Sequence, residues 1–314
     1  MRIVTFTPNP ALDWFLSVPA LKDDTLVRAH SETVHPGGKG INVARLLRLQ
    51  GIPVLALFTA GGFAGKELSA LLRACDVPFS CWQIDGPTRR TVTIEDEHGS
   101  RIKVNPPGPE LPGEKEEALG EWVALHCRRG DWLVLCGSLL PGMGGKFYRT
   151  LSERVSSRGV RTVIDTSGAA LREGVEGPLS LLKVNLLELS HLTGKLHGSI
   201  EDAFSDDVVA GLSKKMTLLV SGGAQGAVVS EKETRWKAFS VKTRKGLAVG
   251  AGDSLLAGYL ATRVQGRSPQ EALINGVAMA TATVFSPVHA LASPPEGGKY
   301  LAYIKSFPLE SEGS

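Results

Sequence analysis

The strongest constraint on the fold is a repeated pattern in which a short apolar run precedes a stretch with helical periodicity. It begins with a β-branched run at 2–7 and a helical stretch at 41–50, and it continues to an apolar run at 217–220. Continuous apolar runs are typical of strands buried on both faces of a parallel sheet, and their alternation with helices is typical of α/β proteins. The sequence therefore predicts a mostly parallel central sheet covered on both faces by helices.

Two stretches depart from this pattern. Residues 11–36 are irregular with short alternating runs, and residues 88–105 alternate around Asp96–Gly99, which indicates a hairpin. We expect these stretches to form a small antiparallel β lid projecting from the main body. The stretch 254–307 is expected to be mainly helical, and no linker marks a domain boundary, so residues 1–314 are predicted to form a single domain.

Composition excludes several classes of function. The four cysteines and seven histidines are dispersed and lack zinc-ligand spacing, which excludes a zinc enzyme. The net charge of +3 comes from scattered basic residues without nucleic-acid motifs, so no nucleic-acid partner is expected. No apolar run reaches ~18 residues, so no membrane partner is expected. Residues 1–6 lead straight into a strand pattern without the regions of a signal peptide, and we expect a cytoplasmic protein.

The most informative motif is Val249–Ser254, Val-Gly-Ala-Gly-Asp-Ser, which leads into an apolar helix. Unpaired N–H groups and the helix dipole at such a start create an anion hole suited to a phosphate in transfer. Asp253 lies in the same turn, where a carboxylate can accept a proton from a substrate hydroxyl. Read alone, the motif fits a simple helix cap at Asp253 or Ser254 equally well.

A second motif is Pro36–Ala44, Pro-Gly-Gly-Lys-Gly-Ile-Asn-Val-Ala. Its glycines permit close backbone approach, Lys39 offers a cation, and Asn42 projects from the first helical turn. Neither this motif nor the glycine-rich run 61–67 fits the P-loop pattern. Neither fits G-x-G-x-x-G, so a nicotinamide oxidoreductase has little support.

Together these motifs, with Cys136–Gly142 (Cys-Gly-Ser-Leu-Leu-Pro-Gly), resemble the ribokinase-like (PfkB) carbohydrate kinases. The similarity runs from Thr7 to about Phe285, and it is strongest to the branch that contains 1-phosphofructokinase and tagatose-6-phosphate kinase. The resemblance implies a ribokinase-like three-layer α/β/α fold and ATP-dependent phosphorylation of a small sugar phosphate.

The resemblance also implies roles for individual residues. Asp253 would be the catalytic base, and Gly250, Ala251 and Gly252 would form the anion hole around the transferred phosphoryl group. The sugar phosphate would be bound by Asp13, Gly38, Lys39, Asn42, Arg89 and Ser138. Arg89 would bind the phosphate already on the substrate through its guanidinium fork, with Arg90 as an adjacent alternative.

On the nucleotide side, the resemblance implies ATP and Mg²⁺. Lys183, Asn185 and Glu188 match an element that supports Mg²⁺ and the ATP phosphates, with Glu188 acting on the metal indirectly through water. The matching glycine loop over the nucleotide contributes Ser221, Gly223 and Gly226. Members of the family commonly dimerise through the lid strands, so a homodimer is implied.

Several positions depart from this branch. Leu247-Ala248 replace a usual hydroxyl residue before the 249–254 motif, and 285–288 lack the usual nucleotide-border element, which leaves the nucleotide preference open. Pro106 and Thr91 differ on the sugar side, so the substrate also stays open. Fructose 1-phosphate, giving fructose 1,6-bisphosphate, is favoured, with tagatose 6-phosphate and fructose 6-phosphate as alternatives. From another class, a non-catalytic regulatory protein that binds a sugar phosphate remains a competing interpretation.

Overall fold

The computed structural model describes residues 1–232, 234–243, 249–286, 291 and 294–309. The strands are β1 (Ile3–Thr7), β2 (Ala11–Val18), β3 (Ser31–Gly37), β4 (Val54–Ala60), β5 (Phe79–Gln83), β6 (Arg89–Asp96), β7 (Arg101–Val104), β8 (Trp132–Cys136), β9 (Arg161–Asp165), β10 (Leu181–Asn185), β11 (Thr217–Ser221), β12 (Ala227–Glu231), β13 (Thr234–Ser240) and β14 (Ile304–Pro308). The helices are α1 (Lys39–Leu49), α2 (Gly62–Ala74), α3 (Glu116–Leu125), α4 (Phe147–Ser156), α5 (Gly168–Gly174), α6 (Leu186–Thr193), α7 (Ile200–Phe204), α8 (Asp207–Lys215), α9 (Ala251–Val264), α10 (Pro269–Phe285) and α11 (Pro294–Tyr300). Short 3₁₀ turns lie at Gly113–Lys115, Gly223–Gln225 and Leu301–Tyr303.

Ten of the described strands form the central sheet in the order β14-β13-β12-β11-β10-β9-β8-β1-β4-β5. The strands from β11 to β5 are all parallel, and β12, β13 and β14 add an antiparallel edge. In a parallel sheet the carboxyl ends of the strands lie at one edge, where α/β proteins bind their ligands. The ends of β1, β8, β9, β10 and β11 are therefore neighbours in this chain.

Helices cover both faces of the sheet. Apolar residues of α1, α2, α9 and α10 pack on one face with strand residues such as Ile3 and Val134. Residues of α3 to α8 pack on the other face with strand residues such as Val4 and Leu135. The alternation follows from the pleat, which points successive side chains to opposite faces. The predicted α/β/α class with a mostly parallel sheet is confirmed.

The small sheet has the strand order β3-β2-β6-β7. Its outer pairs, β3–β2 and β6–β7, are antiparallel as predicted, and the central pair β2–β6 is parallel. The strands β2 and β6 each follow a strand of the central sheet, β1 and β5, and they leave that sheet in the same direction. They are therefore parallel to each other. Asp96 organises the far end, where its carboxylate accepts hydrogen bonds from the N–H groups of Leu21, His98 and Ser100.

The sequence pattern missed several elements. The short helices α5 and α7 carry too few residues to show a helical period. The stretch 254–307 is mainly helical as expected, but its last residues enter the edge strand β14. Among the described residues, no helix has the length and apolar character needed to cross a membrane.

Candidate active site

The start of α9 is an uncapped helix terminus. Gly250 precedes the helix with a left-handed φ of 82°, and an added Cβ would lie 2.9 Å from Leu291 Cδ2. Both facts favour glycine at this position. No side chain caps the helix, so the first-turn N–H groups, including those of Ala251 and Gly252, have no side-chain acceptor. This geometry can bind an anion, as the sequence predicts.

Asp253 lies in the first turn of α9 and is 7% exposed. Its Oδ2 accepts a hydrogen bond of 2.8 Å from Nδ2 of Asn42, a residue of α1 that belongs to the motif 36–44. No described residue donates to its Oδ1. Burial raises the pKa of Asp253 to about 6 with help from the Asp165 charge, while Lys39, Asn42 and Lys183 act in the opposite direction. The carboxylate is thus mostly ionised at neutral pH and able to accept a proton.

Asp165 was missed by the sequence analysis, although it is the centre of the site's charge network. It ends β9 and is fully buried. Lys39 Nζ lies 2.7 Å and Lys183 Nζ 3.2 Å from its Oδ1. Lys39 also lies 3.5 Å from Glu188 Oε1. The signal that could have identified Asp165 is its position at the carboxyl end of a predicted inner strand.

The charges of this network depend on one another. Burial alone would raise the pKa of Asp165, but Lys183 and Lys39 outweigh it and hold this pKa below its usual value. Burial would lower the pKa of Lys39, but Asp165, Glu188 and Asp253 outweigh it and raise this pKa. Asp165 and Lys39 therefore form an ion pair at neutral pH. The network thus contains two cations, Lys39 and Lys183, and three carboxylates, Asp165, Glu188 and Asp253.

Asn185 and Glu188 form a capping box at the start of α6. Asn185 Oδ1 accepts from the N–H of Glu188 at 2.8 Å, and Glu188 Oε2 accepts from the N–H of Asn185 at 2.9 Å. Glu188 Oε1 remains near Lys39, and the buried Asp165 Oδ2 has no hydrogen-bond partner among the described residues. Carboxylate oxygens suit Mg²⁺, which usually keeps several waters and takes few protein ligands. Among the described residues, no group of three or more carboxylate, cysteine or histidine side chains could hold a metal, so an Mg²⁺ ion here would be bound largely through water.

Asp13 and Thr91 face each other across β2 and β6 in the small sheet. Thr91 Oγ1 donates a hydrogen bond to Asp13 Oδ1. The threonine at which this sequence departs from the resembled family therefore contacts Asp13 directly. A Cβ on Gly37 would lie 2.2 Å from Asp13 Oδ2, so glycine is required for this packing. Burial raises the pKa of Asp13, against the lowering effects of Thr91, Lys103, Arg89 and Arg45.

Arg89 begins β6 beside the ends of the core strands. Thr88, the residue before Arg89, is fixed by a hydrogen bond, since its Oγ1 accepts from the N–H of Gly61 at 3.1 Å. The guanidinium of Arg89 donates to the carbonyls of Asn9, Pro10 and Pro106. Burial lowers its pKa, while Asp13 acts to raise it. Arg90 lies on the exposed side, 3.3 Å from Glu67 Oε2. Of the two arginines, Arg89 is the one that the structure places beside Asp13.

Gly38 and Ser138 border the same region from the core. Gly38 has a φ of 113°, and a Cβ there would lie 3.0 Å from Thr7 Cγ2. Ser138 follows β8 and is exposed, with its Oγ 3.3 Å from Asn9 Nδ2. Gly38 thus lies against the end of β1, and Ser138 contacts Asn9, which follows β1.

The glycine loop after β11 forms a separate group. Gly223 and Gly226 have φ values of 60° and 89°, and the N–H of Gly222 donates to the carbonyl of Gly226 at 2.9 Å. Ser221 pairs with Asn185 in the sheet. Within the described part of the chain, no side-chain hydrogen bond or ion pair joins this loop to the Asp165 network. Leu247-Ala248 and 287–288, where the nucleotide-side departures fall, lie outside the described residues.

The structure thus brings Lys39, Asn42, Lys183, Glu188 and Asp253 into one network around Asp165. Asp13 and Arg89 interact with each other on the small sheet, and Asp13 packs against Gly37, two residues before Lys39. The arrangement combines a helix start whose first N–H groups have no side-chain acceptor, two ammonium groups and a carboxylate that can accept a proton. Such a set can hold a phosphoryl donor and remove a proton from an incoming hydroxyl.

Comparison with known proteins gives consistent matches. The model of the pfkB family carbohydrate kinases matches residues 11–294. The 1-phosphofructokinase of Bacillus subtilis is 32% identical over 291 residues, which cover 90% of this chain and 93% of that protein.

Solved structures are similar over nearly the whole chain. Phosphofructokinase-2 from Escherichia coli, in complex with fructose-6-phosphate, has a TM-score of 0.87 and 30% identity, and the match covers 96% of this chain and 98% of that one. A tetrameric inhibited form of the same protein matches with the same values. Ribokinase from Arabidopsis thaliana, with a TM-score of 0.73 at 20% identity over 96% and 99% of the two chains, shows that the fold is ribokinase-like.

Proposed function

The chain belongs to the pfkB family of carbohydrate kinases, and on this premise we propose that it transfers a phosphoryl group from ATP to fructose 1-phosphate, giving fructose 1,6-bisphosphate. The observation that carries the proposal is Asp253, a buried carboxylate held by Asn42 at an uncapped helix start. The similarity to a 1-phosphofructokinase favours the 1-phosphate. Fructose 6-phosphate, the ligand of the E. coli structure, and tagatose 6-phosphate remain the alternatives.

In the proposed reaction, Asp253 accepts the proton of the sugar hydroxyl through its oxygen that carries no hydrogen bond. The hydroxyl oxygen forms a bond to the γ-phosphorus, the bond from that phosphorus to the β–γ bridging oxygen breaks, and ADP leaves. The N–H groups at the start of α9 and the ammonium of Lys39 stabilise the transferred group. Glu188, with Asp165 near it, would support Mg²⁺ through water, and Mg²⁺ when bound neutralises phosphate charge.

The Asp253 geometry also bears on the competing interpretation of a non-catalytic binding protein. A protein that only binds a sugar phosphate needs the anion-binding groups but no ionised carboxylate beside the site of transfer. Ionised Asp253 would repel a phosphate, so its presence costs binding affinity unless it takes a proton during the reaction. This cost favours the kinase.

We expect Arg89→Glu to raise the KM for fructose 1-phosphate about 100-fold or more, because a half-buried cation beside the proposed position of the substrate phosphate becomes an anion. Steady-state kinetics with coupled ADP detection measures this effect. Arg90→Glu is the matched control, since Arg90 is the neighbouring but exposed arginine, and its KM should stay within about threefold of the wild type.

The KM for ATP separates a local effect of the substitution from general damage to the site. A higher KM for the sugar phosphate in Arg89→Glu, with a KM for ATP within about threefold of the wild type, supports the proposed role of Arg89. If Arg89→Glu leaves the KM for every sugar phosphate unchanged, or if Arg90→Glu has the larger effect, Arg89 does not bind the substrate phosphate.

We also propose a homodimer through the small sheet. Strand register places Trp14, Val92 and Val104 in one row and Leu16, Ile94 and Ile102 in the next, all on one face of that sheet. Ile102 and Val104 are about half exposed, at 50% and 54%. Exposed apolar faces of this kind are typical of protein interfaces.

Light scattering should give twice the chain mass for the wild type. Ile102→Asp should give the mass of one chain, because it places a charge in the apolar face. Leu125→Asp, at an exposed leucine of α3 outside this sheet, is the control and should remain dimeric. A monomeric wild type, or an unchanged mass for Ile102→Asp, would contradict an interface on this face.

A further inference from the structure

The segment Asn105–Pro109, here called the proline segment, follows β7 and has the sequence Asn-Pro-Pro-Gly-Pro. Its three prolines have no backbone N–H, so their peptide units can accept hydrogen bonds but cannot donate them. At the proline positions, the segment therefore has no backbone N–H groups with which to hold itself in place. It needs hydrogen-bond donors from other parts of the chain.

Asn9 is one of these donors. It follows β1 and is only 3% exposed. Its Nδ2 lies 2.8 Å from the carbonyl oxygen of Pro107, 3.3 Å from Ser138 Oγ and 3.3 Å from the carbonyl oxygen of Leu139. One buried amide therefore joins the end of β1, the proline segment and the loop after β8.

Gly108 fixes the position of this amide from its other side. A Cβ on Gly108 would lie 2.4 Å from Asn9 Oδ1, and Gly108 has a φ of 93°. Oδ1 is buried and accepts no hydrogen bond from the described residues. The opposite orientation of the amide would place Oδ1 against the Pro107 and Leu139 carbonyls, so the donors of Asn9 must face them.

Arg89 is held by the same group of atoms. Its Nη2 donates to the carbonyl of Asn9 at 2.9 Å, its Nη1 to the carbonyl of Pro106 at 3.1 Å and its Nε to the carbonyl of Pro10 at 3.4 Å. The guanidinium is thus fixed by the peptide of Asn9 and by the segment that the Asn9 amide holds. A guanidinium has five N–H donors, so two remain for a substrate phosphate.

We infer that Asn9 is a positioning residue for the substrate phosphate, acting through Arg89 and the proline segment. It sets the position of the guanidinium relative to Ser138, and it has no hydrogen bond to the Asp165 network among the described residues. This inference rests on the proposed function and deepens it. It separates the sugar phosphate, whose binding depends on Asn9, from ATP, whose binding does not.

Asn9→Asp tests the inference, because it keeps the side-chain size but replaces the N–H donors with a carboxylate oxygen facing the Pro107 carbonyl. We expect the KM for the sugar phosphate to rise about tenfold or more, with the KM for ATP and kcat within about threefold of the wild type. Asn9→Ala should show the same pattern. A thermal midpoint is measured for each variant.

A merely structural role predicts a lower thermal midpoint with an unchanged KM for the sugar phosphate, and that result overturns the inference. Should Asn9→Ala fail to fold, Asn9→Asp decides the matter. The second readout is the double variant Asn9→Asp/Arg89→Ala. Because Asn9 acts through Arg89, adding Asn9→Asp to Arg89→Ala should raise this KM less than about twofold. Fully additive effects overturn the inference.

The wild-type assay is read first. If the wild type shows no ADP release that depends on a sugar phosphate, the proposed function fails. If the wild type is active and Asn9→Asp keeps the wild-type KM for the sugar phosphate, only the inference about Asn9 fails.

Discussion

Asp253→Asn is expected to lower kcat by about 10³-fold or more, while the KM values for ATP and the sugar phosphate do not rise. The amide has the size of the carboxyl group but cannot accept the hydroxyl proton, and general-base catalysis contributes about 10²–10⁴-fold. Asn42 can still donate to the oxygen of the new side chain, so the local structure is retained. Steady-state kinetics measures the effect, and calorimetric titration with ATP serves as the control for an intact site.

The pH profile gives the same prediction a second readout. Since the proposed base acts ionised and its pKa in the free protein is about 6, wild-type kcat/KM should fall as the pH drops below about 6. The residual kcat/KM of Asp253→Asn should lack this step. An Asn variant that keeps the wild-type kcat, or that keeps the acid step, would show that Asp253 is not the base.

The stability effect of Asp253 has the opposite sign to that of most carboxylates. Its folded pKa lies above the ordinary value of 3.8, so the fold favours the protonated form. Ionisation therefore costs stability at neutral pH, and this cost disappears as the pH falls from about 6 towards 4. Asp253→Asn should consequently not lower the thermal midpoint at pH 7.

Asp165→Asn is expected to lower the free energy of unfolding by about 3–5 kcal/mol. The substitution leaves Lys183, which is 3% exposed, without the carboxylate that lies 3.2 Å from its Nζ. An uncompensated buried charge is strongly destabilising, whereas a neutral replacement of the whole pair is often tolerated. Urea denaturation of the wild type and the variant measures the difference.

The double variant Asp165→Asn/Lys183→Met is the matched control, because it removes both charges of the buried pair. It should recover a large part of the stability lost in Asp165→Asn, although neither variant should be active. If the free energy of unfolding of Asp165→Asn lies within about 1 kcal/mol of the wild-type value, the network around Asp165 is not the electrostatic centre of this site.

Most of the fold could be predicted from the sequence, because the local sequence signals agree with the tertiary structure. The β-branched runs and helical periods predict the parallel strands and most helices, and Gly250 correctly marks the start of α9. The sequence analysis predicts no antiparallel edge, although β12 pairs with β13 in a local hairpin. The strand β14 follows a helical stretch, and its pairing with β13 joins residues that are distant in sequence.

The site shows a similar division. Lys39, Asn42 and Asp253 lie in recognisable motifs, and the structure joins them as neighbours. Asp165 lies in no such motif: it is 126 residues from Lys39, and only the adjacency of β9 and β10 places it beside Lys183. The contacts of Asn9 likewise depend on a loop about 98 residues away. Spacing along the chain cannot reveal such pairs.

The central claim is that this chain phosphorylates a phosphorylated sugar. Its most direct test is ADP release by the wild-type protein with ATP and Mg²⁺, measured with fructose 1-phosphate, fructose 6-phosphate, tagatose 6-phosphate and unphosphorylated fructose. We predict rapid ADP release with fructose 1-phosphate, slower release with the other two sugar phosphates, and only background release with fructose. Background release with all three sugar phosphates would contradict the claim.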